Sequence, residues 1–326
     1  MFRKIFTVLL TLLLGLSVFS CTAEPSVTTE KPTEAPSESP SEAPTEPATE
    51  APTEAPTEAP TEAPTEPATT EAGTVYAGMD SGIIRDGTPK KYFCLCFDDT
   101  TQQDLKIIEM CKKYNYYAVT FFTSTGLYGT DWSDFVKVPH IRFTKKEMQS
   151  GIYDGFDLAI HTYRHLALDQ QTEKTVISEV KTDQKNIYKL TGIYPVVMAW
   201  PGGDPNVNRN LMRIVYENTT VRLGRGTTST HKFDLPTELL WLEPTAEISE
   251  ATLMSDFKRF AEAECTEDML FFCWGHGYEL DIYNSYAKLE NFIKTVTETE
   301  GIELVTVSQF YQLFKDEIPA YIPEGE

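Results

Sequence analysis

Short apolar runs alternate along the chain with longer segments in which apolar residues recur every three or four positions. Runs of the first kind are typical of strands buried on both faces, and the spaced pattern is typical of helices with one buried face. The predicted strands cover residues 92–97, 116–122, 157–160, 196–200, 219–223, 269–274 and 302–305. The predicted helices cover residues 103–114, 144–153, 172–190, 206–217, 249–263, 285–299 and 307–315. This alternation predicts an α/β domain with a parallel sheet covered by helices, either open or closed into a barrel.

The alternation begins only at about residue 90, and a repetitive segment precedes it. Between Glu24 and Glu71 the chain repeats Pro-Thr-Glu-Ala with a period of four and contains no aromatic residue. Such a segment cannot bury enough apolar surface to offset its ordering entropy. An extended polyproline-like chain rises about 3.1 Å per residue, so about 50 residues reach on the order of 150 Å. We therefore interpret residues 21–73 as a disordered Pro/Thr/Glu-rich linker that precedes a folded domain, residues 74–326.

The net charge of −21 is shared between the linker and the domain. Residues 22–73 hold twelve Glu and one Lys and contribute −11, Arg3 and Lys4 contribute +2, and −12 remains on residues 74–326. An acidic balance on both parts argues against nucleic acid or an anionic lipid surface as a partner.

The first twenty residues have the pattern of an export signal. A basic start, Arg3 and Lys4, is followed by an apolar run from Ile5 to Leu16 that is short for a bilayer span. The run leads to Ser20-Cys21, which resembles a bacterial lipoprotein processing site. This resemblance implies that residues 1–20 are removed, that Cys21 carries lipid, and that the lipid is the only link to the outer face of the cytoplasmic membrane. The alternative is an ordinary secretory signal with an incidental cysteine.

Five further cysteines lie in the domain, without a Cys-x-x-Cys pair. Cys94, Cys96 and Cys273 belong to strand-like apolar runs, so we interpret them as small buried hydrophobic residues. A disulfide between Cys273 and either Cys94 or Cys96 stays open, because sequence alone does not fix pairing.

Polar residues follow several predicted strands at the point where each strand ends. They are Asp98-Asp99, His161 and His165, Pro201-Gly202-Gly203, and His276. The loops after parallel strands form the active face of α/β sheets and barrels, so we expect these residues to share one edge.

His161 and His165 are spaced so that, on a helix turn, both imidazoles would project to one side and suit one Zn²⁺-like ion. Such an ion needs an anionic ligand and hydrolysis needs a base, and Asp98-Asp99 can supply one of each. The alternatives are a surface His beside a capping His, and an aspartate that caps a helix.

Together these motifs resemble those of the polysaccharide deacetylases, the NodB-homology group also called carbohydrate esterase family 4. The resemblance covers residues 88–318 and rests on Phe97-Asp98-Asp99, His161-Thr162-Tyr163-Arg164-His165, Trp200-Pro201-Gly202-Gly203 and Trp274-Gly275-His276. It implies a distorted (β/α)7-type barrel. It also implies a divalent metal, with Zn²⁺ expected, an acetylated polysaccharide as substrate, Asp98 as general base and His276 as general acid. The metal ligands that it implies are Asp99, His161 and His165.

The sequence departs from that family at the residues that support the base. Many relatives have an Arg two residues before the motif's Pro, and Ala199 stands there; an Asp-rich motif that usually supports the base is not visible. Arg225 resembles an Arg that a subset of relatives carries after the next strand, so we predict that it supplies the missing charge near Asp98. Its alternative is a solvated loop Arg.

Residues beside the motifs are candidates for holding the sugar, by stacking or by shaping the loop. They are Tyr163, Trp200, Pro201, Gly202 and Trp274, with Tyr278 nearby, and each ring could equally be packing. Glu279 and Asp281 could orient His276 or face solvent. His140 and His231 have no supporting spacing, and we interpret them as surface or structural residues.

The sequence therefore predicts an exported, metal-dependent hydrolase that removes N-acetyl groups from a cell-wall or surface polysaccharide of the N-acetylglucosamine type. One alternative is an O-acetyl glycan esterase or small-amide hydrolase. The other is a non-catalytic glycan-binding lipoprotein, which Ala199 motivates and the intact acid and base argue against.

Overall fold

The computed structural model describes residues 81–323. The signal segment, Cys21 and the linker predicted for residues 1–73 lie outside the described residues. No helix of the described part is both long and apolar enough to cross a membrane. The strands are β1 (Lys91–Asp98), β2 (Val119–Thr123), β3 (Asp157–Ile160), β4 (Val197–Ala199), β5 (Leu223–Arg225), β6 (Ala246–Glu247), β7 (Met269–His276) and β8 (Ile302–Leu304). The helices are α1 (Asp104–Lys113), α2 (Ser133–Val136), α3 (Lys145–Met148), α4 (Glu173–Thr191), α5 (Arg209–Asn218), α6 (Leu253–Glu262), α7 (Gly277–Ile282), α8 (Tyr286–Glu298) and α9 (Val307–Phe314).

The strands form one parallel sheet in the order β5-β4-β3-β2-β1-β7-β6. β1 lies at its centre and pairs with β7 over its whole length, from Lys91 to Asp98. On its other side, β8 pairs with the first half of β1 and β2 with the second half. Because the strand pairs are parallel, the carboxyl ends of the strands gather at one edge of the sheet.

The segment between β5 and β7 nearly closes this sheet into a barrel. Leu242 donates its N–H to Gly224 O (3.0 Å) and accepts from Gly226 N (2.8 Å), so it extends the β5 edge. A few residues later β6 pairs with β7 at the opposite edge. The distorted barrel predicted from the sequence is therefore confirmed.

The alternation of side chains along β1 divides the core. Tyr92, Cys94 and Cys96 face the barrel interior, where α9 also packs. The intervening residues, Phe93 among them, face the outer helices. The cysteines of the described residues are unpaired thiols, so the disulfide left open above is not formed.

Two predicted strands begin later than expected because the chain first completes the preceding helix. After α1, Asn115 takes a left-handed φ of 54° and Tyr116 N–H bonds back to Cys111 O (2.8 Å), so β2 starts only at Val119. After α5, Val221 N–H bonds to Thr219 Oγ1 (3.1 Å), and β5 starts at Leu223 instead of residue 219. β6 and α2 are too short to produce a sequence period, and neither was predicted.

Candidate active site

The carboxyl ends of β1, β3, β4 and β7 surround one cavity of about 520 Å³. Most of the predicted site residues line it, namely Asp98, Asp99, His161, His165, Trp200, Gly202, Trp274 and His276. Tyr278, which the sequence offered as a stacking candidate, lines it as well, and so do residues that sequence reasoning did not select for the site, which include Trp132, Phe135 and His140.

Two predicted substrate residues do not reach the cavity. The ring of Tyr163 packs against the backbone of Gly126, and its own N–H donates to Glu179 O (3.0 Å). Pro201 is buried, and its carbonyl accepts from Asn206 Nδ2 (3.4 Å) inside the turn that follows β4. Both residues shape loops of the site, and neither is among the residues that line the cavity. Their contact with substrate stays a prediction.

The candidate metal ligands converge. The ligand atoms of Asp99, His161 and His165 all lie within 4.8 Å of one another. His161 Nδ1 lies 3.0 Å from Ala199 O, and this carbonyl holds the proton on Nδ1. His161 Nε2 is left buried without a hydrogen-bond partner. An orphaned imidazole nitrogen beside a buried carboxylate is a donor set that fits a divalent cation.

The two histidines are not on a helix turn, contrary to the sequence prediction. Thr162 (φ 65°) and His165 (φ 54°) are left-handed, and this loop gives its N–H groups to α4. His161 N–H bonds to Asp183 Oδ2 (3.2 Å), and Arg164 N–H to Glu179 Oε2 (2.7 Å). His161 N–H also donates to Thr123 O on β2 (2.9 Å), so β2 and α4 together hold the backbone of this loop in place of a helical i to i+4 pattern.

Asp98 is paired with a buried arginine. Arg225 Nη2 donates to Asp98 Oδ1 (2.6 Å) and also contacts Oδ2, and both side chains are buried. Burial alone would raise the pKa of Asp98, but Arg225 together with His161 and His276 outweighs burial, and the pKa is lowered. The register of β4 and β5 sets Arg225 beside Ala199. The positive charge beside Asp98 thus comes from β5. Many relatives of the family that the sequence resembles carry an Arg at the position of Ala199, on the neighbouring strand β4.

His276 is paired with the negatively charged side chain of Glu279. Its Nδ1 lies 3.3 Å from Glu279 Oε1, and its backbone N–H donates to Glu279 Oε2 (2.9 Å) at the start of α7. Burial lowers the pKa of His276, but Glu279, joined by Asp98 and Asp99, more than compensates and raises it to about 9. Asp281 faces away and bonds to Gln103 Nε2 (2.7 Å). His276 is therefore an imidazolium at neutral pH.

The two nitrogen groups that contact the Asp99 carboxylate were missed by sequence reasoning. Arg142 Nη2 donates to Asp99 Oδ1 (2.7 Å), and His140 Nε2 lies 3.3 Å from Oδ2. Burial would raise the pKa of Asp99, and these two groups lower it well below its usual range. The Trp132 ring centroid lies 3.9 Å from the Arg142 guanidinium carbon.

His140 thus lines the cavity and is buried, so of its two interpretations, surface or structural residue, the surface one is wrong. His231 is about half exposed and contacts Asp256 Oδ2 (3.0 Å) far from any predicted motif. The sequence offers no spacing that separates the two histidines. The difference arises because residues 130–142 fold back on themselves, and short antiparallel contacts of that kind leave no periodic signal.

Comparison with known proteins gives a family match and several remote structural likenesses. Residues 85–220 match the family model for polysaccharide deacetylase. Among solved structures, the chain is similar to the deacetylase PplD of Streptococcus pyogenes in complex with acetate (23% identity, TM-score 0.37), covering 46% of this chain and 62% of that one. The chain thus spans less than two thirds of that relative. No curated protein matches the chain.

Two further structures are covered more completely at lower identity. One is the Xyl-CE4 domain of a multidomain xylanase from the hindgut metagenome of Trinervitermes trinervoides (17% identity, TM-score 0.46), covering 72% of this chain and 95% of that one. The other is the peptidoglycan deacetylase PdaC of Bacillus subtilis (18% identity, TM-score 0.43), covering 70% of this chain and 93% of that one.

Proposed function

We propose, from the polysaccharide deacetylase family that residues 85–220 match, that this protein hydrolyses N-acetyl groups on a cell-wall or surface polysaccharide of the N-acetylglucosamine type. The observation that carries the proposal is geometric: Asp98, paired with Arg225, and His276, paired with Glu279, line one cavity together with the converging candidate metal ligands. Arg225 lowers the pKa of Asp98, and Glu279 raises that of His276 to about 9. Environments that push two pKa values apart identify a base and an acid.

Asp99, His161 and His165 would hold a divalent cation, for which Zn²⁺ is the expected ion. The orphaned His161 Nε2 and the buried Asp99 carboxylate support this assignment. A bound cation polarises an acetamide carbonyl and lowers the pKa of a water molecule. Asp-His-His sites accept several divalent ions, so the donor set alone does not select one.

The residues of the chain carry the proton transfers. Asp98, kept anionic by Arg225, takes a proton from the water that attacks the acetamide carbon. Pro201 has no N–H and Gly203 donates its own to Trp200 O (3.0 Å), which leaves Gly202 as the amide of this loop that can donate to the developing oxyanion. His276 gives its proton to the nitrogen as the carbon–nitrogen bond breaks, and the products are acetate and a free amine.

An exported lipoprotein location completes the proposal. The basic start, the short apolar run and Cys21 support a lipid anchor on the outer face of the cytoplasmic membrane, and the repeat of residues 21–73 supports a spacer. A tethered enzyme of this kind suits a polymer that lies beyond the membrane.

Acetate release tests the proposal. The protein is incubated with N-acetylglucosamine oligomers and with O-acetylated xylan, before chelation, after chelation, and after Zn²⁺ is returned. We expect acetate from the amide substrate, lost on chelation and restored by the metal. Release from xylan alone would reassign the substrate to an O-acetyl ester, and no release by metal-loaded protein from either substrate would refute the hydrolase.

A further inference from the structure

A small hairpin, residues 130–142, overhangs the cavity. Arg142 N–H bonds to Thr130 O (3.0 Å) and Trp132 N–H to His140 O (2.9 Å), so the two arms are held together. The tip is α2, which closes at Lys137 with a left-handed φ of 68°. At the other end Arg142 and His140 contact Asp99. The hairpin therefore has its base on a candidate metal ligand and its tip at the cavity rim.

Phe135, on α2, is 82% exposed and yet lines the cavity. Among residues 81–323, seven other large hydrophobic side chains are similarly exposed, and none of them lines it: Ile84, Leu105, Tyr117, Tyr188, Tyr216, Ile282 and Tyr283. Single exposed hydrophobic residues are ordinary on a protein surface, whereas one at the wall of a cavity that also holds several polar side chains is typical of a binding site. Phe135 contributes nothing to the core, so packing does not explain its place.

Hydrogen bonds within the hairpin hold the backbone on either side of Phe135. Asp131 Oδ1 accepts from Ser133 N–H (2.8 Å), and Ser133 Oγ accepts from His140 N–H (2.9 Å). Below the tip, Trp132 lies against Arg142 and contacts the ring of His165 (5.9 Å between centroids). The backbone that carries Phe135 is thus tied to the same framework as the candidate metal ligands.

We propose that Phe135 is a sugar-binding subsite that stacks on the ring next to the acetylated unit of a polymer. The inference rests on the proposed deacetylase function. When one acetamide lies between Asp98 and His276, the neighbouring units must leave the cavity across its rim, where Phe135 stands. The faces of pyranose rings carry C–H groups and are apolar, so an aromatic face is their natural contact. The ligand is a chain of at least two sugar units, not a single sugar.

Chain-length dependence tests the subsite. Acetate release is measured on single N-acetylglucosamine and on its oligomers of increasing length for wild type, Phe135→Ala and Phe135→Trp. Ile84→Ala is the matched control, since Ile84 is 78% exposed and lies outside the cavity. We expect Phe135→Ala to raise KM for oligomers about three- to tenfold with kcat nearly unchanged, to leave the single sugar unaffected, and to be rescued by Trp. Kinetics equal to wild type at every length, or the same loss at every length, would overturn the subsite.

A binding titration keeps this result separate from the proposed reaction. Oligomer binding is measured by calorimetry for wild type, Phe135→Ala and Ile84→Ala. Weaker binding in Phe135→Ala alone supports the subsite even if no protein releases acetate, in which case only the hydrolase proposal fails. Equal binding by all three proteins overturns the subsite even if wild type is active.

Discussion

Asp98 and Asp99 are neighbours in the chain, and each has its own buried arginine. Arg225 reaches Asp98 from β5, and Arg142 reaches Asp99 from the hairpin. A buried carboxylate without a partner is costly, so two adjacent ones require two separate compensating charges. Arg225 holds Asp98 in its anionic form, and Arg142 holds Oδ1 of Asp99 at 2.7 Å, whereas Oδ2 of Asp99 has only a longer contact of 3.3 Å with His140 Nε2.

Replacing Glu279 by Gln tests the acid. The His276 pKa of about 9 lies above the usual 6.5, so the Glu279 contact stabilises the fold fully below pH 6.5, and that stabilisation is lost as the pH rises through 9. In Glu279→Gln we expect the pKa of His276 to fall by about one unit or more, as followed by NMR in the metal-free protein. The alkaline limb of the pH–rate profile should move to lower pH by the same amount. Asp281→Asn is the control, and an unchanged His276 pKa in Glu279→Gln would exclude this role.

Replacing Arg142 by Met tests the support of Asp99. Removing one partner of a buried ion pair costs about 3–5 kcal/mol, and we expect that loss in the unfolding free energy of the metal-free protein. Added Zn²⁺ should raise the melting temperature more in the variant than in wild type, because the ion then supplies the missing charge. Arg213→Met removes a surface pair with Glu217 and should cost about 0–1 kcal/mol. Equal losses in the two variants would contradict the account.

Residue types alone identified the groups that carry distinctive chemistry. Adjacent aspartates and two histidines four residues apart stand out at strand ends, and the resemblance to a family assigned each of them an expected role. Arg142 and His140 could not be found in this way, because their importance comes from a hairpin that brings them back to Asp99. Sequence could propose Arg225, but only the register of two strands sets it beside Asp98.

At the scale of elements, the pairing of β4 with β5 explains how the chain manages without an arginine at Ala199. Ala199 and Arg225 are register partners in parallel strands, so their side chains leave the same face of the sheet about 4.8 Å apart. A guanidinium on either strand can therefore approach Asp98. The positive charge that supports Asp98 can therefore come from β5 instead of from the neighbouring strand β4.

This arrangement predicts a rescue. Arg225→Ala should lower acetate release by about 100-fold or more while the metal content stays at that of wild type. The double variant Arg225→Ala with Ala199→Arg should recover part of that loss, because the new side chain starts from the neighbouring strand. Circular dichroism and metal analysis verify that both proteins are folded and loaded. A folded, loaded double variant no more active than Arg225→Ala would contradict the exchange.

Elements with strong apolar periods were predicted well, and those set by local backbone were not. The runs of β1 and β7 and the period of α4 are confirmed nearly to their ends. The His161–His165 segment was expected to be a helix turn, but its N–H groups bond to α4 instead. Hydrogen bonds to a distant helix leave no trace in local sequence.

At the scale of the whole molecule, the sequence predicts an export signal, a spacer and a barrel. The barrel is confirmed, whereas residues 1–80 lie outside the described part, so the anchor stays a prediction. Cys21→Ala tests it. If Cys21 carries lipid, the variant should leave the membrane fraction and appear as soluble exported protein with unchanged acetate release. A variant that fractionates with membranes as wild type does would contradict lipid attachment at this residue.

The most direct test of the central claim compares wild type with Asp98→Asn in two readings, bound divalent metal per chain and acetate released from N-acetylglucosamine oligomers. If Asp99, His161 and His165 hold the cation and Asp98 serves as the base, both proteins bind one ion, and the variant loses activity by a factor on the order of 10²–10⁴. Turnover by Asp98→Asn near the wild-type rate, or no bound metal in active wild type, would contradict the account.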